Sequence, residues 1–133
     1  MFPSDAWAKA VAETINNSAE YAEAAKGWEG DICIVVTPEG PLKEPIYVYL
    51  DLWHGKAREA YVLQNPSAKK AAFIISAPLS TWRKMMEGKL NPFPAFARRQ
   101  LKVDGNWIKL IGAGRGGQLA FECAVRTPAE FPE

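Results

Sequence analysis

At 133 residues, with 16 Lys and Arg against 15 Asp and Glu, the chain is one domain long and nearly neutral, at +1. A domain of this size buries roughly two-thirds of its unfolded surface, so its core needs no staples. Basic residues are scattered apart from Arg98-Arg99 and Lys69-Lys70, which excludes a nucleic-acid footprint, and no apolar run reaches the ~20 residues of a bilayer span.

In chain order, Ser4 or Asp5 caps a first helix through Asn16, with Trp7, Val11 and Ile15 forming one stripe at i, i+4 and i+8. Ser18 caps a second, Ala-rich helix from Ala19 to Lys26 that Gly27 ends. The period then changes. Ile32 to Val36 is a β-branched strand closed by Pro38, Gly40 and Pro41. Ile46 to Trp53 alternates, with Ile46, Val48, Leu50 and Leu52 on one side and Tyr47, Tyr49, Asp51 and Trp53 on the other. His54-Gly55 turns tightly into a third strand, Lys56 to Leu63, and Asn65-Pro66-Ser67 leads to a fourth, Ala71 to Ala77. Short links between successive strands predict an antiparallel meander with helices over one face.

Trp82, Met85 and Met86 then mark a short helix stopped by Gly88, and Asn91-Pro92 opens another carrying Phe93 and Phe96. A brief strand, Leu101 to Val103, ends at Asp104-Gly105-Asn106. Beyond it two readings compete: Asp104-Gly105 is a hairpin signal that makes Trp107 to Ile111 a strand, while Trp107, Leu110 and Ile111 also fit helical spacing. Gly112, Gly114, Gly116 and Gly117 predict a hinge before a last helix, Gln118 to Arg126, that Pro128 stops. There are no repeats and no second domain, so residues 1–133 are taken as a single domain.

Catalysis finds little support in the residues. The single histidine, His54, sits in a turn with Asp51 and Glu59 nearby, but no Ser or Cys stands at a nucleophile elbow. One His and two distant Cys do not make a zinc set, so no metal and no cofactor are expected. The run Gly112 to Gly117 departs from the dinucleotide-binding spacing and opens no βαβ unit. Cys33 and Cys123 each lie in an apolar run and read as buried thiols of a reducing compartment. Met1-Phe2-Pro3-Ser4-Asp5 is no secretory signal and Phe131-Pro132-Glu133 no peroxisomal address, so a cytoplasmic protein is expected.

The informative constellation is apolar. Two short helices bearing Trp82, Met85, Met86, Phe93 and Phe96 expose more soft surface than they can bury against each other. The run Gly88-Lys89-Leu90-Asn91-Pro92, then Ala95-Phe96, then Leu101-Lys102-Val103-Asp104-Gly105-Asn106 resembles the sterol carrier protein 2 (SCP2-like) domain family. The order of elements fits along nearly the whole chain. Two positions depart from the family pattern: Arg99 stands where Gly is usual, and Gln100 replaces the first Lys of a Lys-Leu-Lys run.

The resemblance implies an α+β fold, an about five-stranded, mainly antiparallel sheet with helices over one face and an apolar tunnel between. It also implies a helix capped by Asn106, which is the reading adopted here. The function it implies is non-catalytic binding and transfer of a sterol, fatty acid, acyl-CoA or phospholipid. The expected lining is Trp82, Met85, Met86, Phe93, Phe96, Ile108, Ile111 and Phe121, with Leu50 and Leu52 on the sheet floor. Arg98 and Arg99 are expected either to complement the helix dipole or to hold an acidic headgroup at the tunnel mouth. The expected partner is a lipid or fatty-acyl ligand, with transient membrane-surface contact, in a monomer or homodimer. The alternative is an accessory protein that presents an isoprenoid or quinone intermediate to a biosynthetic enzyme; hydrolysis or acyl transfer around His54 is a third reading.

Overall fold

The computed structural model describes residues 4–65, 69–112 and 114–127. Its elements run α1 (Asp5–Asn16), α2 (Ala19–Ala24), β1 (Glu29–Thr37), β2 (Ile46–Trp53), β3 (Lys56–Leu63) and β4 (Phe73–Pro78). After these come α3 (Leu79–Met86), α4 (Pro92–Ala97), β5 (Lys102–Asp104), α5 (Trp107–Gly112) and α6 (Arg115–Arg126). The caps expected for the first helices are in place: the Ser4 and Ser18 hydroxyls accept from the Trp7 and Tyr21 N–H groups, each at 3.1 Å.

The five strands form one sheet in the order β3-β2-β1-β4-β5. Three pairings are antiparallel and one, β1 with β4, is parallel. The antiparallel meander therefore holds only through β3. Leu63 lies level with Val35, and Phe73, two strands beyond β2, lies level with Ile32. Residues 64–72 have to bridge about 17 Å laterally and backwards, well within their extended reach of about 30 Å, so a crossover is open to them.

Alternation divides the sheet into two faces. Ile34, Val36, Val48, Leu50 and Leu52 pack under the helices with Trp7, Val11, Ile15, Tyr21, Trp82, Met85 and Leu119. Cys33, Val35, Tyr49 and Leu63 form a second cluster on the opposite face, with Ala71 of the crossover packed against it. The two thiols are free and sit in different clusters, Cys33 behind the sheet and Cys123 under the helices, so no disulfide joins them.

Two details position the helical layer. The β2–β3 hairpin turns on His54 and Gly55, both left-handed at φ 49° and 81°, which matches the twist of the flanking strands. A Cβ on Gly55 would approach the Ala22 carbonyl oxygen to 2.6 Å, so α2 rests directly on the turn. Along α1, Asp5, Lys9 and Asn16 share a face beside the apolar stripe and bond the backbone of β3. Asp5 Oδ1 accepts from the Val62 N–H at 3.0 Å, and Lys9 Nζ donates to the Ala60 carbonyl at 3.2 Å. The Asn16 amide both donates to and accepts from the Ala57 backbone, at 3.0 and 2.8 Å.

At the C-terminal side, residues 107–112 form the helix and not the hairpin strand, with Asn106 Oδ1 accepting from the Lys109 N–H at 3.2 Å. The glycine run is not the expected hinge. α6 begins at Arg115, so Gly116 and Gly117 belong to its first turn. Gly116 is buried there, and a Cβ on it would make ordinary contact with the Ala24 carbonyl and the Ala25 side chain at 3.5 Å.

Candidate functional site

Between the helical layer and the sheet lies a cavity of about 480 Å³. The stripe of α1 (Trp7, Val11, Ile15) walls one side, and Ile32, Ile34, Leu50, Leu52 and Ile75 make the floor. Trp82, Met85 and Met86 of α3, Phe96 of α4, and Leu101 and Val103 of the following segment close the far side. The roof is α6, whose inward positions are Gly116, Gly117, Ala120, Phe121 and Ala124. This composition explains the void. A helix packs at a distance set by its neighbours, and a Gly/Ala stripe on the facing side leaves space that larger side chains would fill.

Eight of the ten expected lining residues have described side chains, and seven of those border the cavity: Trp82, Met85, Met86, Phe96, Phe121, Leu50 and Leu52. Ile108 does not; it is 68% exposed and stands off the cavity wall. The side chains of Phe93 and Ile111 lie outside those described. Trp82 has a second job, because its Nε1–H donates to the Val35 carbonyl at 3.0 Å in a buried contact that ties α3 to β1. Met85 is fully buried, whereas Met86, Phe96 and Phe121 are only partly so and form adaptable wall.

The charge at the cavity also falls elsewhere than on Arg98 and Arg99. Both are exposed at the end of α4 and neither borders the cavity. Lys109 does, and it is the one charged side chain among the described lining residues. Its ammonium donates to the Glu29 carbonyl at 2.7 Å and lies 5.3 Å from the ring centre of Trp28. Trp28 in turn stacks on Phe73 at 5.4 Å and donates its Nε1–H to the Gly30 carbonyl. Ala24, Gly27, Lys109 and Gly112 are the exposed members of the lining, so the cavity meets solvent on this side.

Tyr21 contributes the other polar group. It borders the cavity at 2% exposure, and its hydroxyl makes no hydrogen bond among the described residues. Burial pushes the phenol up to about 12, with the Cys123 thiol adding to the effect.

His54 is far simpler. Its Nε2 lies 2.6 Å from Glu29 Oε2, both half-exposed, and it does not border the cavity. Asp51, expected beside it, is bonded instead by Arg58 Nε at 3.0 Å. Among the described residues no cluster of three or more His, Cys, Asp or Glu is placed to hold a metal ion, and no helix is long and apolar enough to cross a membrane.

Sequence reasoning missed the α1 and β1 walls, Tyr21, Trp28 and Lys109. The i, i+4, i+8 stripe of α1 and the alternation of β1 were readable as core-facing, but nothing in them says that they face a void. Lys109 carried no signal at all.

Residues 8–111 match the model of the SCP-2 sterol transfer family. A crystal structure of sterol carrier protein 2 is 31% identical and superposes with a TM-score of 0.88, covering 96% of this chain and 100% of that one. A conserved hypothetical protein from Thermus thermophilus, described as a possible sterol carrier protein, is 31% identical with a TM-score of 0.87, covering 98% and 92%. A UbiJ-SCP2 ubiquinone synthesis protein shares the fold at 15% identity and a TM-score of 0.56, covering 92% and 90%. No curated protein matches the chain significantly.

Proposed function

The chain belongs to the SCP-2 sterol transfer family, and from that premise we propose that it binds a lipid in the cavity under α6 without reacting on it, and carries it between sites. The observation that carries this reading is an about 480 Å³ cavity with almost wholly apolar walls and a single described charge, at Lys109. The volume falls in the range of small-molecule pockets, and the composition is that of a lipid site. Each methylene moved out of water stabilises the complex by about 0.8 kcal/mol, so a dozen offset the several kcal/mol lost in association. No nucleophile, metal or activated base is required.

In this reading the tail lies over Leu50 and Leu52 against Trp82, Met85, Met86, Phe96 and Phe121, and the headgroup emerges beside Lys109. The chain acts as one binding unit. Native mass spectrometry of the purified protein, followed by extraction, should recover a bound lipid. A protein that purifies empty and binds no fluorescent fatty acid removes the proposal.

A second reading has the chain present an isoprenoid or quinone intermediate to a biosynthetic enzyme. Its support is the fold shared with the UbiJ-SCP2 ubiquinone synthesis protein. Extraction of a prenylated ring compound, and co-purification of an enzyme, would favour it over free transfer of acyl lipids.

A further inference from the structure

We infer that the segment from α3 through α4 to the start of β5 is a docking surface for an anionic lipid bilayer. The inference rests on the lipid-binding reading and adds where the carrier meets its lipid source.

The near-neutral total hides a separation of charge along the chain. Residues 79–103 hold six of the 16 Lys and Arg (Arg83, Lys84, Lys89, Arg98, Arg99 and Lys102) but one of the 15 Asp and Glu, Glu87. The segment therefore carries +5 and the rest of the chain −4, which together make the +1 of the whole. All six cations are exposed, and none borders the cavity. Glu87 lies 3.3 Å from Arg83 and 3.3 Å from Lys89. Among the described residues Lys84, Arg98, Arg99 and Lys102 form no salt bridge, whereas Lys9, Lys26, Arg58 and Arg115 elsewhere are each bridged to a carboxylate. The Glu39 carboxylate, close enough to feel Lys84, is bonded instead to the Ser80 N–H.

Arg99 adds a second observation. It closes α4 at a left-handed φ of 62°, where Gly88 closes α3 at 75°. Glycine would adopt this backbone without strain, so a cation is kept there against a penalty.

The charge is spread over flexible side chains of two helices and a strand. That suits a lipid surface, whose charge is diffuse and mobile, better than a protein partner that sets fixed carboxylates against fixed cations. Each Lys or Arg near an anionic bilayer strengthens binding about five-fold, and the attraction decays over about 10 Å at 0.1 M salt. Contact of that strength is reversible, as delivery requires. The same two helices carry Met86 and Phe96, partly buried residues of the cavity wall, so docking here sets the adaptable part of that wall beside the bilayer.

The test is co-sedimentation with phosphatidylcholine vesicles, with and without about 30% phosphatidylserine. It compares the wild type with Arg98→Glu/Arg99→Glu and with Lys69→Glu/Lys70→Glu, which changes the net charge equally at the other basic pair. The wild type should bind anionic vesicles at least about ten-fold more tightly than neutral ones, and lose the preference near 1 M salt, where screening acts within about 3 Å. Arg98→Glu/Arg99→Glu should weaken that binding about twenty-fold or more, and Lys69→Glu/Lys70→Glu by less than about three-fold. Lys84→Glu/Lys102→Glu should reproduce the loss, which covers the case that the arginine variant fails to fold. Equal binding to both vesicles, binding to neither, or equal losses from the arginine and Lys69-Lys70 pairs overturns the inference. So does capture of the wild type by polyglutamate and not by anionic vesicles, which would assign the surface to an acidic protein. Displacement of a fluorescent fatty acid, measured without vesicles, reports on the lipid reading separately. A wild type that binds the fatty acid but no vesicle fails only here; one that docks as expected but binds no fatty acid fails only there.

Discussion

The backbone N–H of Gln100 donates to the Ala95 carbonyl at 2.9 Å across Arg99, which is held left-handed at φ 62°. With the Arg99 N–H on the Phe96 carbonyl at 3.1 Å, this is a Schellman closure of α4. α3 ends the same way through Gly88 at φ 75°, where Lys89 bonds the Lys84 carbonyl and Gly88 that of Met85. Arg99 thus occupies a backbone conformation that suits the glycine usual at this position, and a side chain there costs about 1 kcal/mol. Arg99→Gly should raise the melting temperature by about 2–5 °C, the shift expected for 0.5–1 kcal/mol in a domain of this size. A melt that is unchanged or lower would show that the arginine side chain makes a compensating contact.

Ala124 borders the cavity from the roof. Overpacking a filled core costs typically 1–3 kcal/mol, but a side chain grown into an empty space costs little. Ala124→Phe should therefore lose less than about 1 kcal/mol in urea unfolding while weakening fatty-acid binding ten-fold or more, because it takes the space the tail needs. A large stability loss with unchanged binding would place the ligand elsewhere. Trp82→Ala is a poorer probe, since it also removes the buried bond to Val35.

Lys109 should distinguish acids from neutral lipids. A charge-assisted hydrogen bond is worth about 1.5–3 kcal/mol, so Lys109→Ala should weaken a fatty acid by roughly ten-fold or more at low salt and its methyl ester hardly at all. Charge reversal at Arg98 and Arg99, which stand off the cavity, should leave both ligands within about two-fold. Equal losses for acid and ester in Lys109→Ala would reduce the residue to a wall.

Glu39 sets an acid limb. α3 has Pro78 at its N-cap, which offers no side-chain cap, and Glu39 Oε1 accepts from the Ser80 N–H at 2.7 Å in its place. Hydrogen bonds from the Ser80 side chain and backbone hold this carboxyl below its ordinary value of 4.5. A depressed carboxyl contributes stability above the unfolded value and loses it as pH falls through the folded one. The melting-temperature gap between the wild type and Glu39→Gln should be full above pH 4.5 and shrink as the pH is lowered further. A gap independent of pH would mean that the charge plays no part.

Local rules carried most of the element boundaries. Period-2 alternation and the His54-Gly55 turn placed β2 and β3 as observed, and the serine caps placed α1 and α2. What failed was longer in range. Pairing of β4 with β1 depends on where a link of residues 64–72 lands, and no short-range pattern encodes that. Gly116 and Gly117 read as a hinge because glycine disfavours helices, yet both lie in the first turn of α6, where Gly116 is buried beside Ala24 and Ala25. The same stripe makes the cavity, so the void was least legible where it is built. Seven of the lining residues expected from the family resemblance border it; Lys109 was missed because its role comes from the docking of α5 against β1.

The polar face of α1 has a consequence for self-association. By bonding the backbone of Ala57, Ala60 and Val62, Asp5, Lys9 and Asn16 occupy groups that an outermost strand would otherwise offer to another chain. The opposite border of the sheet is β5, only 3 residues long. Among the described residues, a fibril or a strand-swapped dimer would find no long free template on either margin.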